Sequence, residues 1–212
     1  SAQFRNTFAR DAGAEHRRFR VHFVGVWDTV SSVGWIWDPV KFVHTAANPS
    51  IATVRHAVAI DERRSFFRQN LFAADVHGQD LVELWFPGSH CDVGGGYPED
   101  HGGLWRESFT WMLDEAKKAG MLTDPEQERR VLTRATPPEK PWAEPQHESL
   151  TWHWWPAELF PKVRYNKRIG RRLPSLGLGR RRRIEPGAIL HRSVMQRMES
   201  GAGYAPANLP QP

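Results

Sequence analysis

An α/β domain with a parallel sheet is the fold class this sequence predicts, and three observations carry that reading. "RVHFVGVW" (Arg20 to Trp27) and "LVELWF" (Leu81 to Phe86) are short runs rich in β-branched and aromatic residues. They stop at Asp28-Thr29 and at Pro87-Gly88, as buried strands do. Between them, Ile51, Val54, Ala57 and Val58 recur at helical spacing, so Ile51 to Phe67 reads as a helix. Beyond them, Leu104, Ser108, Trp111, Met112 and Glu115 follow three- and four-residue steps. Strand, helix, strand, helix is the order that builds a parallel sheet covered by helices.

The remaining elements follow in chain order. After the first strand, "SSVGWIWDPVKFVHTAANPS" reads as a loop with a short helix after Pro39. The helix from Gly103 to Ala119 stops at Gly120, and another starts at Asp124-Pro125, with the aspartate as cap and proline in the first turn. Past Leu132 the texture changes to "TPPEKPWAEPQHESLTWHWWPAELFP", rich in proline and tryptophan and without a period. A basic segment, a short strand at Arg182 to Glu185 and a helix from about Ala188 to Met198 complete the chain. This divides it into a core, 1–132, and an irregular extension, 133–212, packed on that core. There is no internal repeat.

Composition narrows the class. With 40% hydrophobic and 25% charged residues, the chain has the make-up of a folded globular protein. No apolar run approaches the ~20 residues of a membrane-spanning helix, and the N-terminus lacks a signal-peptide layout. The chain starts at Ser1 rather than methionine, so it reads as a piece of a longer protein. Its single cysteine, Cys91, has no internal disulfide partner, which fits a reducing compartment. The net charge of +5 has one source. Lys162 to Arg183 holds ten basic residues and no acid, while the other 190 residues carry 19 basic against 24 acidic groups.

Two residues point to chemistry together. Asp28 follows one strand directly, and His90 lies four residues past the next, just before Gly94 to Gly96. Singly, an aspartate after a strand is a turn former and a loop histidine is solvated or structural. At neighbouring strand ends on one sheet edge they match the acid and base of a hydrolase triad, whose order is nucleophile, acid, histidine. The glycines would let the backbone turn where side chains would block a substrate. No serine here lies in a G-x-S-x-G turn. Cys91 is a poor substitute, since neighbours in an extended segment point to opposite sides. A hydrolase nucleophile would therefore lie upstream of Ser1. A rival reading is a metal-dependent hydrolase using Asp75, His77, His90, Asp92, Asp100 and His101, whose spacing matches no zinc motif. Another is a non-catalytic basic interaction module.

Four stretches carry a resemblance: "FVGVWDTVSSVG" (Phe23 to Gly34), "RHAVAIDERRSFF" (Arg55 to Phe67), "LWFPGSHCDVGGGY" (Leu84 to Tyr97) and the closing "HRSVMQR…YAPANLP". From about Phe23 to Pro210 the chain resembles the type VI secretion phospholipase effectors, a lipase-effector group with an α/β-hydrolase catalytic module. The family's Gly-Phe-Ser-Arg-Gly-Ala nucleophile motif precedes these segments and is absent here. The resemblance therefore implies the carboxyl-terminal part of a hydrolase sheet, with Asp28 as acid and His90 as base. Asp92 and Asp61 are fallback carboxylates. It implies a phospholipid or other ester substrate, no cofactor, synthesis in the bacterial cytoplasm and delivery by type VI secretion. Without its serine the present stretch is expected to be inactive alone.

The basic segment Lys162–Arg183, interleaved with Tyr165, Ile169 and leucines, fits an anionic membrane surface. The alternative is a solvated loop paired with acids of the core. No nucleic-acid motif accompanies it, and no immunity or secretion partner can be read from it. Asp61-Glu62-Arg63-Arg64 reads as a helix-end salt-bridge network. Trp152, Trp154 and Trp155 read as core that docks the extension, with a lipid-facing rim as the alternative.

Overall fold

The computed structural model describes residues 20–30, 33–35, 38–40, 48–72, 78–133, 138–166, 170–201 and 203–210. The expected helix after Pro39, and Asp75 and His77, lie outside them. Ile51 to Ala59 is not a helix. It forms a nine-residue strand at the heart of the molecule. Val54 to Glu62 are buried without a break, the signature of a central parallel strand covered on both faces. The helical spacing is coincidental, because the polar positions Arg55 and His56 are buried as well. Arg55 Nη2 meets Asp80 Oδ2 at 2.7 Å and its Nε pairs with Glu115. His56 Nδ1 lies 2.8 Å from Glu83 Oε1.

Eight strands are described: β1 (Val21–Trp27), β2 (Val33–Trp35), β3 (Asp38–Val40), β4 (Ile51–Ala59), β5 (Asp80–Phe86), β6 (Lys162–Asn166), β7 (Arg171–Ser175) and β8 (Ile189–Leu190). The main sheet is parallel, in the order β1-β4-β5-β8. β2 and β3 pair antiparallel, as do β6 and β7. The class is α/β as expected, but no helix appears between β1, β4 and β5 among the described residues. β4 therefore separates the two strands that precede Asp28 and His90.

Alternation along the strands feeds two cores. Ala57, Ala59, Leu84 and Phe86 face one side, with Val93 and Met112. Val58, Ile60 and Trp85 face the other, with Ile184 and Val194. Helix α1 is His90–Gly94, and α2 (Trp105–Lys118) buries Met112 and Ala116 on the first side. α2 ends as expected at Gly120, whose φ of 93° suits glycine. α3 (Pro125–Thr133) is capped by Asp124 Oδ1, which accepts the Glu126 N–H at 2.8 Å. α4 (Trp155–Glu158) is short, and α5 (Arg192–Glu199) packs Val194 on the second side.

The C-terminal part departs from expectation in three places. Arg182 to Glu185 is irregular rather than a strand; the Arg182 side chain binds Asp28 and Ala59 at the ends of β1 and β4, and its carbonyl accepts from Asn208. The final helix begins at Arg192, after β8, and not near Ala188. Trp152 is 75% exposed and Trp155 41%, so they are not core. Trp154 is half-buried against Phe66 and Phe67.

Ile60 is fully buried beneath the second core. Ile60→Ala should lower the unfolding free energy by about 2–5 kcal/mol. The measurement is a drop in the urea midpoint at unchanged slope.

Candidate active site

Asp28 turns the chain at the end of β1. Its φ of 42° is a left-handed conformation that aspartate tolerates better than most side chains. Its N–H still donates to Ala57 O at 2.7 Å. The carboxylate swings over the end of β4 and accepts the Ala59 N–H at 2.9 Å. The next residue is pinned from inside the sheet, where Thr29 N–H donates to His56 Nε2 at 3.1 Å. Because Nε2 accepts, His56 Nδ1 carries the hydrogen toward Glu83.

His90 arrives from the end of β5 through a clasped turn. Gly88 has φ 111°, and a Cβ there would sit 2.5 Å from the Asp92 Cβ, so the turn requires glycine. Asp61 holds it, donating its N–H to Gly88 O at 3.0 Å and accepting the Gly88 N–H at 2.8 Å. Asp92 then accepts the N–H and the hydroxyl of Ser89 at 2.9 and 2.8 Å, starting α1. His90 is the first residue of that helix rather than part of an open loop. Its N–H donates to Glu62 Oε2 at 3.2 Å.

These two paths bring His90 Nδ1 to 2.7 Å from Asp28 Oδ2. The side chains meet across the end of β4, on the edge where all the parallel strands terminate. The carboxylate is fully buried and the imidazole 26% exposed. The ring packs on Phe67 with centroids 5.0 Å apart. Among the described residues no side chain hydrogen-bonds its Nε2.

A third side chain was missed from sequence. Arg182 looked like one charge of a solvated basic stretch, yet its side chain is 4% exposed and paired with Asp28. Nη1 donates to Asp28 Oδ1 and, at 3.0 Å, to Ala59 O. Nη2 donates to Asp28 Oδ2 at 2.9 Å and to Phe67 O at 2.5 Å. Among Arg180 to Arg183, Arg182 is thus turned inward onto an acid of the core. Nothing local distinguishes Arg182, which stands within a run of four arginines, Arg180 to Arg183.

Burial alone would raise the Asp28 carboxyl. The Arg182 charge and the hydrogen bonds from His90, Arg182 and Ala59 outweigh it, holding the group at about 2, below the ordinary 3.8. With Asp28 ionised, His90 Nδ1 is the donor of this contact, and in the neutral imidazole Nε2 keeps its lone pair. Such an imidazole can accept a proton at Nε2 while the carboxylate stabilises the resulting cation.

The other candidates serve elsewhere. Asp92 Oδ1 lies 2.6 Å from His147 Nδ1. Asp61 accepts the Tyr204 hydroxyl at 2.7 Å, and burial raises its carboxyl despite that bond. Glu62 and Arg64 do pair, at 2.8 Å, but at a strand end rather than a helix end. Burial pushes the Cys91 thiol up, against a nucleophilic role. Among the described residues no group of three His, Cys, Asp or Glu side chains could hold a metal ion. Asp100 and His101 are exposed and 3.8 Å apart.

Residues 2–115 match the model of a protein family described as "T6SS, Phospholipase effector Tle1-like, catalytic domain". That span includes Asp28, His90 and strands β1, β4 and β5. A stretch of 84 residues is 39% identical to part of an uncharacterized protein of Saccharomyces cerevisiae, covering 40% of this chain and 11% of that protein. The chain thus spans a small part of that relative's length. No solved structure matches it.

Because the Asp28 pKa falls on folding, its stabilisation is complete above 3.8 and is lost as pH drops through about 2. Asp28→Asn should be less stable near neutrality, with Arg182 left unpaired. The gap to wild type should narrow by up to ~2 kcal/mol as pH falls from 4 through 2. Urea unfolding at a series of pH values measures this.

Proposed function

Since the chain belongs to the Tle1-like phospholipase effector family, on a catalytic-domain match over residues 2–115, we propose that it supplies the acid and base of a serine-type carboxylic ester hydrolase. His90 Nε2 takes the proton of the serine hydroxyl as it attacks the ester carbonyl, then returns it to the leaving alcohol. Asp28 fixes the imidazole tautomer and stabilises the cation. The observation that carries this reading is the 2.7 Å contact between His90 Nδ1 and the fully buried Asp28 side chain. The substrate is a phospholipid or related ester, and the protein is made in the cytoplasm and delivered by type VI secretion. Residues 133–212 act as an extension packed on the catalytic portion 1–132.

The nucleophile belongs to an upstream strand beside β1. Two observations support that place. Among the described residues β1 pairs only with β4. Beside it lies an apolar cavity of about 550 Å³, lined by Phe23, Gly25, Trp27, Met112, Leu113 and Ala116 among others. Such a cavity at a sheet edge suits a further covering element.

In the full-length enzyme, His90→Ala and Asp28→Asn should each lower kcat on a soluble short-chain ester by ~10,000-fold, the histidine change at least as much. Cys91→Ser should be near neutral. Labelling by a fluorophosphonate and indifference to chelator should accompany the activity. Activity retained by His90→Ala, or abolished by chelator, rejects this mechanism. The 212-residue chain by itself should not turn over the ester.

Membrane contact is proposed for the exposed residues near this edge, in narrower form than the whole basic segment. Trp152, Trp155, Leu159 and Leu178 are exposed, with Arg180 and Arg183 also exposed. Indoles suit the interface between hydrocarbon and water, and each arginine near an acidic surface contributes ~1 kcal/mol. Arg180→Gln with Arg183→Gln should weaken sedimentation with phosphatidylglycerol vesicles by about tenfold at low salt, and less at high salt. Soluble-ester turnover should not change.

A further inference from the structure

We propose that Arg182 is a positioning residue for the Asp28–His90 pair: its guanidinium fork fixes the carboxylate and limits how tightly the pair holds a proton. This rests on the reading of Asp28 and His90 as acid and base.

The geometry gives Arg182 an anchorage of its own. Besides Asp28, its terminal nitrogens bind the carbonyls of Ala59, at the end of β4, and of Phe67, whose ring packs on His90. Its own carbonyl accepts from Asn208 Nδ2 at 3.1 Å, and the same amide donates to Ile60 O at 3.0 Å. The fork is therefore held by two backbone carbonyls, and the main chain that carries it is held by the Asn208 side chain. Each Asp28 oxygen receives two donors. Oδ1 takes the Ala59 N–H and Arg182 Nη1, and Oδ2 takes His90 Nδ1 and Arg182 Nη2. A carboxylate bound through four hydrogens cannot rotate, and the imidazole it orients is fixed with it.

Charge supplies the second half. A buried carboxylate with no counter-ion would hold a proton tightly, on itself or on the imidazole. The other ionisable groups around His90 are committed elsewhere. Glu62 accepts the His90 N–H but is paired with Arg64, which lies over Phe67. Asp92 is tied to His147 and Ser89, and Cys91 is a neutral, partly buried thiol. Arg182 is the cation in contact with Asp28. It offsets the pull of the carboxylate on a proton held by the pair.

The test is the pH dependence of kcat/KM on a soluble fluorogenic butyrate ester, measured with the full-length enzyme. Arg182→Lys keeps the charge and loses the fork. Its acid limb should stay at the wild-type position while kcat falls ~10-fold at unchanged KM. Arg182→Gln removes the charge, and its acid limb should rise by ~1 pH unit or more. Arg130→Gln, on the exposed face of α3, should change neither. Thermal melting of each variant identifies those that fold. If Arg182→Gln does not fold, the Arg182→Lys result decides alone. An Arg182→Lys enzyme with wild-type kcat, or a folded Arg182→Gln enzyme with an unmoved acid limb, overturns the proposal. If His90→Ala stays active, the acid–base reading beneath it fails instead.

Discussion

The buried charge pair between Arg182 and Asp28 is the contact on which the surroundings of His90 depend. Asp28 is fully buried, and Arg182 nearly so. Either charge alone at this depth would be uncompensated, and removing one partner of such a pair typically costs about 3–5 kcal/mol. The pair survives because its hydrogen-bonding capacity is almost filled by Ala59, Phe67 and His90. Those partners belong to the end of β4, the turn that follows it and the start of α1. Holding the two charges together therefore holds three pieces of backbone in register around one imidazole.

The same logic runs through the centre of the sheet. β4 carries an arginine and a histidine where a central strand would ordinarily be apolar, and each is satisfied by a different neighbour. Arg55 joins β5 through Asp80 and α2 through Glu115. His56 joins β5 through Glu83 and reaches the Thr29 N–H directly behind Asp28. The polar groups in β4 thus tie the packing of the first core to the turn that aims Asp28. Leaving any of them unpaired would cost more than an apolar replacement.

Two of the histidine–carboxylate pairs in this fold, His90–Asp28 and His147–Asp92, meet at the start of α1, and their surroundings separate them. Asp92 is saturated by Ser89 and by both the N–H and the ring of His147. His147 in turn stacks on Tyr97, 3.6 Å between centroids. That pair fastens the stretch around His147 to the start of α1. The His90 pair differs in having a guanidinium behind the acid, and the proposed proton relay depends on that difference. The closing "YAPANLP" has a comparable holding role. Tyr204 binds Asp61, and Asn208 binds the carbonyls of Ile60 and Arg182.

β1 and β5 were legible because each is a short apolar run closed by turn formers, a local property that tertiary structure did not need to supply. α2 and the capped α3 were legible for the same reason. Asp28 and His90 could be singled out as a pair because both follow such runs, so parallel strands bring them to one edge. Local pattern misread Ile51 to Phe67, since Arg55 and His56 look solvated until Glu115, Asp80 and Glu83 are folded against them. It also hid Arg182, which reads like Arg180, Arg181 and Arg183 until the chain is laid across the strand ends. Periodicity records which residues are apolar, and so it determined the strands that precede Asp28 and His90. Which polar residues are buried depends on partners distant in sequence, and only the tertiary structure decided that one arginine of four sits behind Asp28.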